Sequence, residues 1–165
     1  MLTNLLHNKA CITMLDDMKE KVERVEAIFG ELGNDTFEKE ITDDMYQTSF
    51  GKDGDISGSI FIENDCNFLE IAYTYVFDRD EEIFLRDHLE SMMNVCYEYG
   101  IYFNVTREED EINFSLFSKL YFSGLNVESL QDTIEDFASC NNELVSMFNV
   151  EEEDDHFTGD RYYNE

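Results

Sequence analysis

Basic residues are scarce in this chain. Its 165 residues include 11 Lys and Arg against 39 Asp and Glu, which gives a formal net charge of −28 at pH 7. These few cations cannot neutralise the phosphates of a nucleic acid or of an anionic membrane, so we expect neither as a partner. Three interpretations stay open: a basic protein partner, mimicry of the negative surface of a nucleic acid, and a merely well-solvated acidic surface.

Long hydrophobic runs are also lacking. No stretch of about 18 apolar residues is present that could span a membrane. The chain starts with MLTNLLHNKACITML, which has no basic segment of the kind that begins a secretory signal peptide. The cysteines lie far apart and show no CxxC or zinc-type spacing, so we expect reduced thiols and a cytoplasmic location. They are Cys11, Cys66, Cys96 and Cys140.

Catalytic signatures are missing as well. The histidines, His7, His88 and His156, have no Ser or Cys nucleophile pattern nearby, and there is no phosphate-binding Gly-rich loop. Carboxylates are abundant but consecutive, as in DRDEE and EEEDD. They therefore point in different directions and do not converge as the acid pair of a glycosidase does. We predict that the protein is not an enzyme and holds no cofactor or metal.

One segment, DGDISGSIFIEN, does have the composition of a metal loop. Asp53, Asp55 and Ser57 occupy positions 1, 3 and 5 of a calcium loop, and Gly58 occupies position 6. Position 12, however, is Asn64, where a bidentate Glu is needed, and the flanking residues are typical of strands. We favour a β-hairpin turn over a calcium site here.

Three segments have the periodicity of helices. Apolar residues at spacings of three and four predict amphipathic helices near residues 14–32, 80–98 and 127–148. Side chains that can cap a helix start, and glycines that can end a helix, lie at the expected places. The candidate N-caps are Thr13, Asp80 and Asn126, and the candidate terminating glycines are Gly33 and Gly100.

The segments between the helices are rich in β-branched and aromatic residues and alternate as strands do. They are MYQTSFG, DISGSIFIE, NFLEIAYTYVF, IYFNVTR and EINFSLFSKLYF, while FEKEITDD is ambiguous and could extend the first of them. The order α-β-β-β-α-β-β-α predicts an α+β domain with helices packed on an antiparallel sheet of about five strands. We assign residues 13–150 to this single domain, residues 1–12 to an N-terminal extension and residues 151–165 to an acidic C-terminal tail.

A family resemblance is carried by MNVCYEYGIYFNVTREEDEINFSLFSKLYFSGLNVESLQDTIEDF. This stretch resembles the YbjN family, within the type III secretion chaperone-like fold, in passing from a helix end through a hairpin with an acidic turn to a final helix. The best-matching residues are Asn94, the EEDE turn and Gly124, whereas SG stands where a doubled Gly is expected. The resemblance implies a non-enzymatic protein. Secretion chaperones of this fold are small, acidic, usually dimeric and cytoplasmic, and hold a partner's segment across apolar patches; YbjN-like members have a regulatory role.

The predicted binding surface is aromatic. Helices on one face of the sheet would leave aromatic side chains exposed on the other, unless the third helix or the tail covers them, and exposed apolar patches commonly mark interaction sites. We predict a module that holds or regulates a protein partner, or forms a homodimer, through Phe61, Tyr73, Tyr75 and Phe117. The alternative is an acidic inhibitor or immunity protein that masks a basic nucleic-acid-binding surface.

Overall fold

Six strands and three helices make up the part of the chain that the computed structural model describes, residues 2–42, 44–53 and 55–154. The helices are α1 (Leu2–Glu31), α2 (Glu82–Glu98, preceded by a 3-10 turn at Arg79–Glu81) and α3 (Val127–Asp154). The strands are β1 (Asp35–Ile41), β2 (Met45–Lys52), β3 (Asp55–Glu63), β4 (Phe68–Asp78), β5 (Tyr102–Arg107) and β6 (Glu111–Tyr121).

The strands form one antiparallel sheet in the order β1-β2-β3-β4-β6-β5. The predicted α+β class and antiparallel sheet are confirmed, but the sheet has six strands rather than about five. Residues 37–41 of the ambiguous segment FEKEITDD belong to β1, and the chain then turns back into β2. In that turn the Thr42 N–H donates to the Met45 carbonyl at 2.8 Å, and the Met45 N–H donates to Thr42 Oγ1 at 3.1 Å.

All three helices pack on the same face of the sheet. The ring of Phe29 in α1 lies 5.1 Å from that of Phe50 in β2, and the ring of Phe148 in α3 lies 5.2 Å from that of Phe77 in β4. Helix α2 lies over β5 and β6. The core between sheet and helices includes the fully buried Phe29, Tyr46, Phe50, Ile60, Ile62, Leu69, Ile71, Met92, Ile112, Phe114, Leu116 and Leu130.

The helix ends agree with the predictions in part. Asn126 Oδ1 accepts the Ser129 N–H at 2.9 Å, while Ser129 Oγ accepts the Asn126 N–H at 3.0 Å, so Asn126 is the N-cap of α3 as predicted. Gly33 and Gly100 have φ values of +73° and +66°. The left-handed conformation that ends a helix therefore lies at the two glycines that the sequence indicates.

Two predicted N-caps are wrong. Helix α1 begins at Leu2, so Thr13 lies within the helix and not at its start. Asp80 lies within the 3-10 turn, and the capping contact is made instead by the Asp78 N–H, which donates to Glu81 Oε2 at 2.7 Å. Helix α3 also continues past residue 148 to Asp154. The domain boundaries at residues 12 and 150 stay predictions, and residues 155–165, with His156, lie outside the described part of the chain.

The segment with calcium-loop composition is a hairpin. Residues Asp55–Glu63 form β3 and pair with β2, so the backbone here is a strand and not the curved loop that holds calcium. Gly58 has a packing role there. It faces Phe50 across the ladder, at a β-bulge that begins between Phe50 and Gly51. The interpretation of this segment as a hairpin is confirmed.

Candidate partner-binding surface

The face of the sheet opposite the helices, called here the open face, carries a cluster of aromatic side chains. Strand register brings them together, because directly paired residues point to the same face. Phe117 lies between Ala72 and Tyr102, and Phe68 is paired with Tyr121. We call this cluster the aromatic patch; it consists of Phe61, Phe68, Tyr102, Phe117 and Tyr121.

Four rings of the patch contact each other in pairs, and two of these rings are exposed. Tyr102 stacks on Phe117 with ring centres 5.5 Å apart, and Phe68 meets Tyr121 edge to face at 5.8 Å. Tyr121 is 53% exposed and Tyr102 is 40% exposed. Ala72, which is paired with Phe117 on the same face, is buried. Four of the five rings of the patch therefore pack in two pairs and are not isolated side chains.

A lysine lies in the middle of this patch. Lys119 Nζ lies 4.4 Å from the ring centre of Phe68 and 5.3 Å from that of Tyr102. Its charge is balanced by Glu70 Oε2, which is 3.6 Å from Lys119 Nζ and accepts a hydrogen bond from the Tyr102 hydroxyl at 2.5 Å. Burial, and then this hydrogen bond to a carboxylate, raise the pKa of Tyr102 above its ordinary value, so the hydroxyl stays protonated.

An acidic hollow adjoins the patch. Its volume is about 360 Å³, and it is lined by Asp44, Met45, Glu63, Asn64 and Asp65. Glu63 lies two residues beyond Phe61 on β3 and therefore on the same face of the sheet. The open face accordingly combines apolar rings with carboxylates at one border.

Ligand-type side chains also converge beside this hollow. Within the described residues, Glu63, Asp65 and Cys66 are the one group whose ligand atoms all lie within 4.8 Å of one another. The Cys66 thiol donates to Glu63 Oε2 at 3.2 Å, and this bond raises the pKa of the thiol. The ammonium of Lys21 already binds the carbonyls of Asn64 and Cys66, at 3.2 and 3.1 Å. Because a second cation would meet that charge, we assign no metal to this group.

The four residues predicted from the sequence divide between the two faces. Phe61 lies on the open face, where it is paired with Glu70. Phe117 lies on the same face, between Ala72 and Tyr102. Tyr73 and Tyr75 lie on the face that the helices cover. The structure therefore does not bring the four together on one surface, and a partner-binding role for any of them stays a prediction.

Tyr75 shows why the helix-covered face is unavailable. Its hydroxyl donates to Asn141 of α3, and its ring lies 5.1 Å from that of Phe148 in the same helix. Burial raises the pKa of Tyr75. Tyr73 packs against it with ring centres 5.0 Å apart. Both rings thus form part of the packing between β4 and α3.

The prediction from the sequence missed three rings of the aromatic patch, Phe68, Tyr102 and Tyr121, and also Lys119, which lies among them. Alternation alone places Tyr121 and Lys119 on the same face as Phe117, because they follow it at intervals of two. Tyr102 had no such signal, since its position beside Phe117 depends on the register between β5 and β6.

A second apolar surface lies between α2 and β5. A groove of about 210 Å³ is lined mainly by Leu85, Leu89, Met92, Val105, Ile112 and Phe114. Along the same flank of α2, Met93 is 52% exposed and Tyr97 is 87% exposed. Both follow Leu89 at intervals of four, so they extend the apolar line of the groove along the helix. This groove is a second apolar surface, separate from the open face.

Comparisons with known proteins support the fold. No family model and no curated protein matches the chain. A crystal structure of an uncharacterized protein from Methanothermobacter thermautotrophicus is similar, with 13% identity and a TM-score of 0.59 over 76% of this chain and 94% of that chain. YbjN from E. coli, described as a candidate transcription regulator, is similar with 11% identity and a TM-score of 0.52 over 76% of this chain and 91% of that chain.

These similarities concern the fold, because identities of 13% and 11% carry no more than that. The fold predicted from the resemblance to YbjN is confirmed. None of the helices in the described ranges is long and apolar enough to cross a membrane.

Proposed function

We propose that this protein is a non-enzymatic module that binds a partner protein through the open face of its sheet. The observation that carries the proposal is the aromatic patch, which stays accessible while all three helices lie on the other face. Large aromatic side chains contribute much of the energy of protein interfaces. An uncovered cluster of them is most simply explained by a partner that covers it.

The surroundings of the patch also fit an interface. The open face has an apolar centre at Ala72 and Phe117 and polar residues around it, such as Gln47, Thr74 and Ser115. Protein interfaces commonly have this arrangement of an apolar centre and a polar rim. The partner is another protein or a second copy of this chain.

A cytoplasmic location is part of the proposal. Cys66, Cys96 and Cys140 are free thiols, and the last two are buried in the core. Free buried thiols are typical of proteins from reducing compartments.

Phe117→Ser and Phe61→Ser test the proposal. Both should abolish homodimerisation or the capture of a partner from native cytoplasm, measured by light scattering after gel filtration and by pull-down. Val76→Ser is the matched control, because Val76 is 59% exposed on the same face but outside the patch. Unchanged dimerisation and capture in both variants, with the control also unchanged, would contradict the proposal.

A second candidate function is that of an acidic inhibitor, favoured by the acidic end of the sheet. At this end, the acidic β5–β6 turn (residues 108–110) contacts the acidic 3-10 turn before α2 (Arg79–Glu81). The Arg79 N–H donates to the Asp110 carbonyl at 3.2 Å, and Arg79 Nη1 donates to the Glu108 carbonyl at 2.8 Å. A partner held by this charge alone would still be captured by Phe117→Ser, whereas a partner held on the aromatic patch would be lost in that variant.

A further inference from the structure

The open face carries a cation of its own, and that cation indicates which ligand chemistry the patch accepts. The ammonium of Lys119 lies over the ring of Phe68 and near that of Tyr102, at 4.4 and 5.3 Å. Both distances are within the range in which a cation is attracted to the face of an aromatic ring. The Glu70 carboxylate beside it provides the opposite charge at 3.6 Å. Rings and carboxylate together form a receptor for a cationic group.

We infer that the aromatic patch binds an extended segment of a partner protein that bears arginine or lysine, with a partner cation taking the position of Lys119 over the rings. This inference rests on the proposed function and specifies the partner. Arg is the better fit of the two, because its planar guanidinium stacks on aromatic rings and also forms paired hydrogen bonds to a carboxylate.

The distribution of charge favours the same partner. With a net charge of −28 the chain attracts cationic segments over a long range and repels acidic ones. The carboxylates of the acidic hollow beside the patch, Asp44, Glu63 and Asp65, add to this attraction at one border of the open face. Alternate residues of an extended chain lie on the same side, roughly 7 Å apart, so basic residues at every second position all point toward the open face.

The direct test uses synthetic peptides of about a dozen residues that alternate Arg with Leu and contain Gly and Ser to keep them from forming a helix. The comparison peptide has citrulline at each Arg, which removes the charge and keeps the shape. Titration calorimetry or fluorescence anisotropy should show that the Arg peptide binds and that its affinity falls as salt rises. The citrulline peptide should bind at least about tenfold more weakly, because without charge it loses the ring–cation contacts and the attraction to the carboxylates of the acidic hollow.

Variants locate the binding site. Tyr121→Ser and Phe68→Ser should weaken binding of the Arg peptide several-fold, while Val76→Ser on the same face should leave it unchanged. Lys119→Met should tighten binding by about two- to fivefold, because the chain's own cation no longer competes for the rings and for Glu70. Lys19→Met is the matched control: it changes the net charge equally but lies on α1, where Lys19 pairs with Glu23.

Different failures have different meanings. Equal affinity of the Arg and citrulline peptides, with loss of both in Tyr121→Ser, would overturn the cationic partner and leave the open face as a binding surface. Binding of the Arg peptide that is unaffected by Tyr121→Ser and Phe68→Ser would overturn the inference, since the cation would then bind elsewhere on the acidic surface. Equal tightening in Lys119→Met and Lys19→Met would likewise show an effect of net charge alone. Phe117→Ser in the capture assay tests the proposed function separately.

Discussion

The ring of Phe50 packs against the backbone of Gly58 on the neighbouring strand. A Cβ atom at Gly58 would lie 3.1 Å from Cε1 of that ring and 2.9 Å from the carbonyl oxygen of Ala72. The second distance is shorter than side chains tolerate, and a backbone oxygen within the sheet cannot move aside cheaply. The glycine that resembles part of a calcium loop in the sequence is therefore needed for packing in the sheet.

Gly58→Ala should accordingly destabilise the protein by about 1–3 kcal/mol, the usual range for overpacking a core. Equilibrium urea unfolding measures this. Gly30→Ala is the control, because a Cβ at Gly30 meets nothing within 4 Å, and alanine is the better helix former. A loss of stability in Gly30→Ala as large as that in Gly58→Ala would contradict the packing argument.

Tyr75→Ser and Phe117→Ser should differ in their effect on stability. Tyr75 packs beneath α3 against Phe148, so its replacement should cost about 3 kcal/mol, in the range measured for large aromatic truncations in cores. Replacement of Phe117, which lies on the open face, should lower the free energy of unfolding by clearly less. The free energies of unfolding of the two variants make the comparison, and equal losses would mean that Phe117 is also a core residue.

The contribution of Glu26 to stability should depend on pH. Partial burial acts to raise its pKa, but hydrogen bonds from Lys39 Nζ and the Tyr46 hydroxyl, both at 2.7 Å, outweigh burial and lower it below 4.5. Because the folded pKa is depressed, ionised Glu26 stabilises the protein above the unfolded pKa, and this contribution is lost as pH falls through the folded pKa.

The stability difference between wild type and Glu26→Gln should therefore be constant near neutral pH and shrink below about pH 4.5. Thermal unfolding of both proteins across this range checks the prediction. Loss of negative charge on acidification affects the two proteins alike and cancels in the difference. A difference that persists well below the folded pKa would contradict the role of the carboxylate.

Asp78 and Glu111 form the last pair of the β4–β6 ladder and place like charges directly opposite each other. Such pairs destabilise a sheet, whereas opposite charges contribute roughly 0.2–1 kcal/mol. Glu111→Lys should therefore raise the free energy of unfolding by about 0.5 kcal/mol at low salt. Unfolding should be repeated near 1 M salt, where the Debye length is about 3 Å and the gain should disappear. Glu111→Gln should show a smaller gain, and a gain that survives salt would point to a cause other than charge.

Calcium should leave the protein unchanged. Since residues 55–63 are a paired strand, millimolar calcium should shift the melting temperature no more than magnesium at the same ionic strength does. Calorimetric titration provides the sharper measurement. A saturable calcium isotherm that Asp55→Ala removes would refute this prediction.

Much of the local structure could be predicted from the residue pattern alone. Alternation identified the strands, and it correctly placed Phe61 on the face opposite Ile60 and Ile62, because the pleat of a strand depends on neighbouring residues alone. Asn126 and the glycines at 33 and 100 marked helix ends for the same reason. The net charge of −28, which restricts the partners, is likewise independent of the fold.

Which face of the sheet is buried depends on long-range packing. Strand β4 has apolar residues on both sides, Tyr73 and Tyr75 on one and Phe68 and Val76 on the other, so its pattern does not say where helices pack. The answer depends on where three separate helices lie, and contacts between distant segments choose that position.

The aromatic patch was decided in the same way. After β4 the chain crosses through α2, and β5 takes the edge of the sheet while β6 inserts beside β4. This order sets Phe117 between Ala72 and Tyr102 and brings Lys119 to Phe68. Nothing local in β5 or β6 encodes that order, because either strand could pair with β4. The binding surface proposed here therefore exists only in the folded sheet, where long-range pairing selects its members from four different strands.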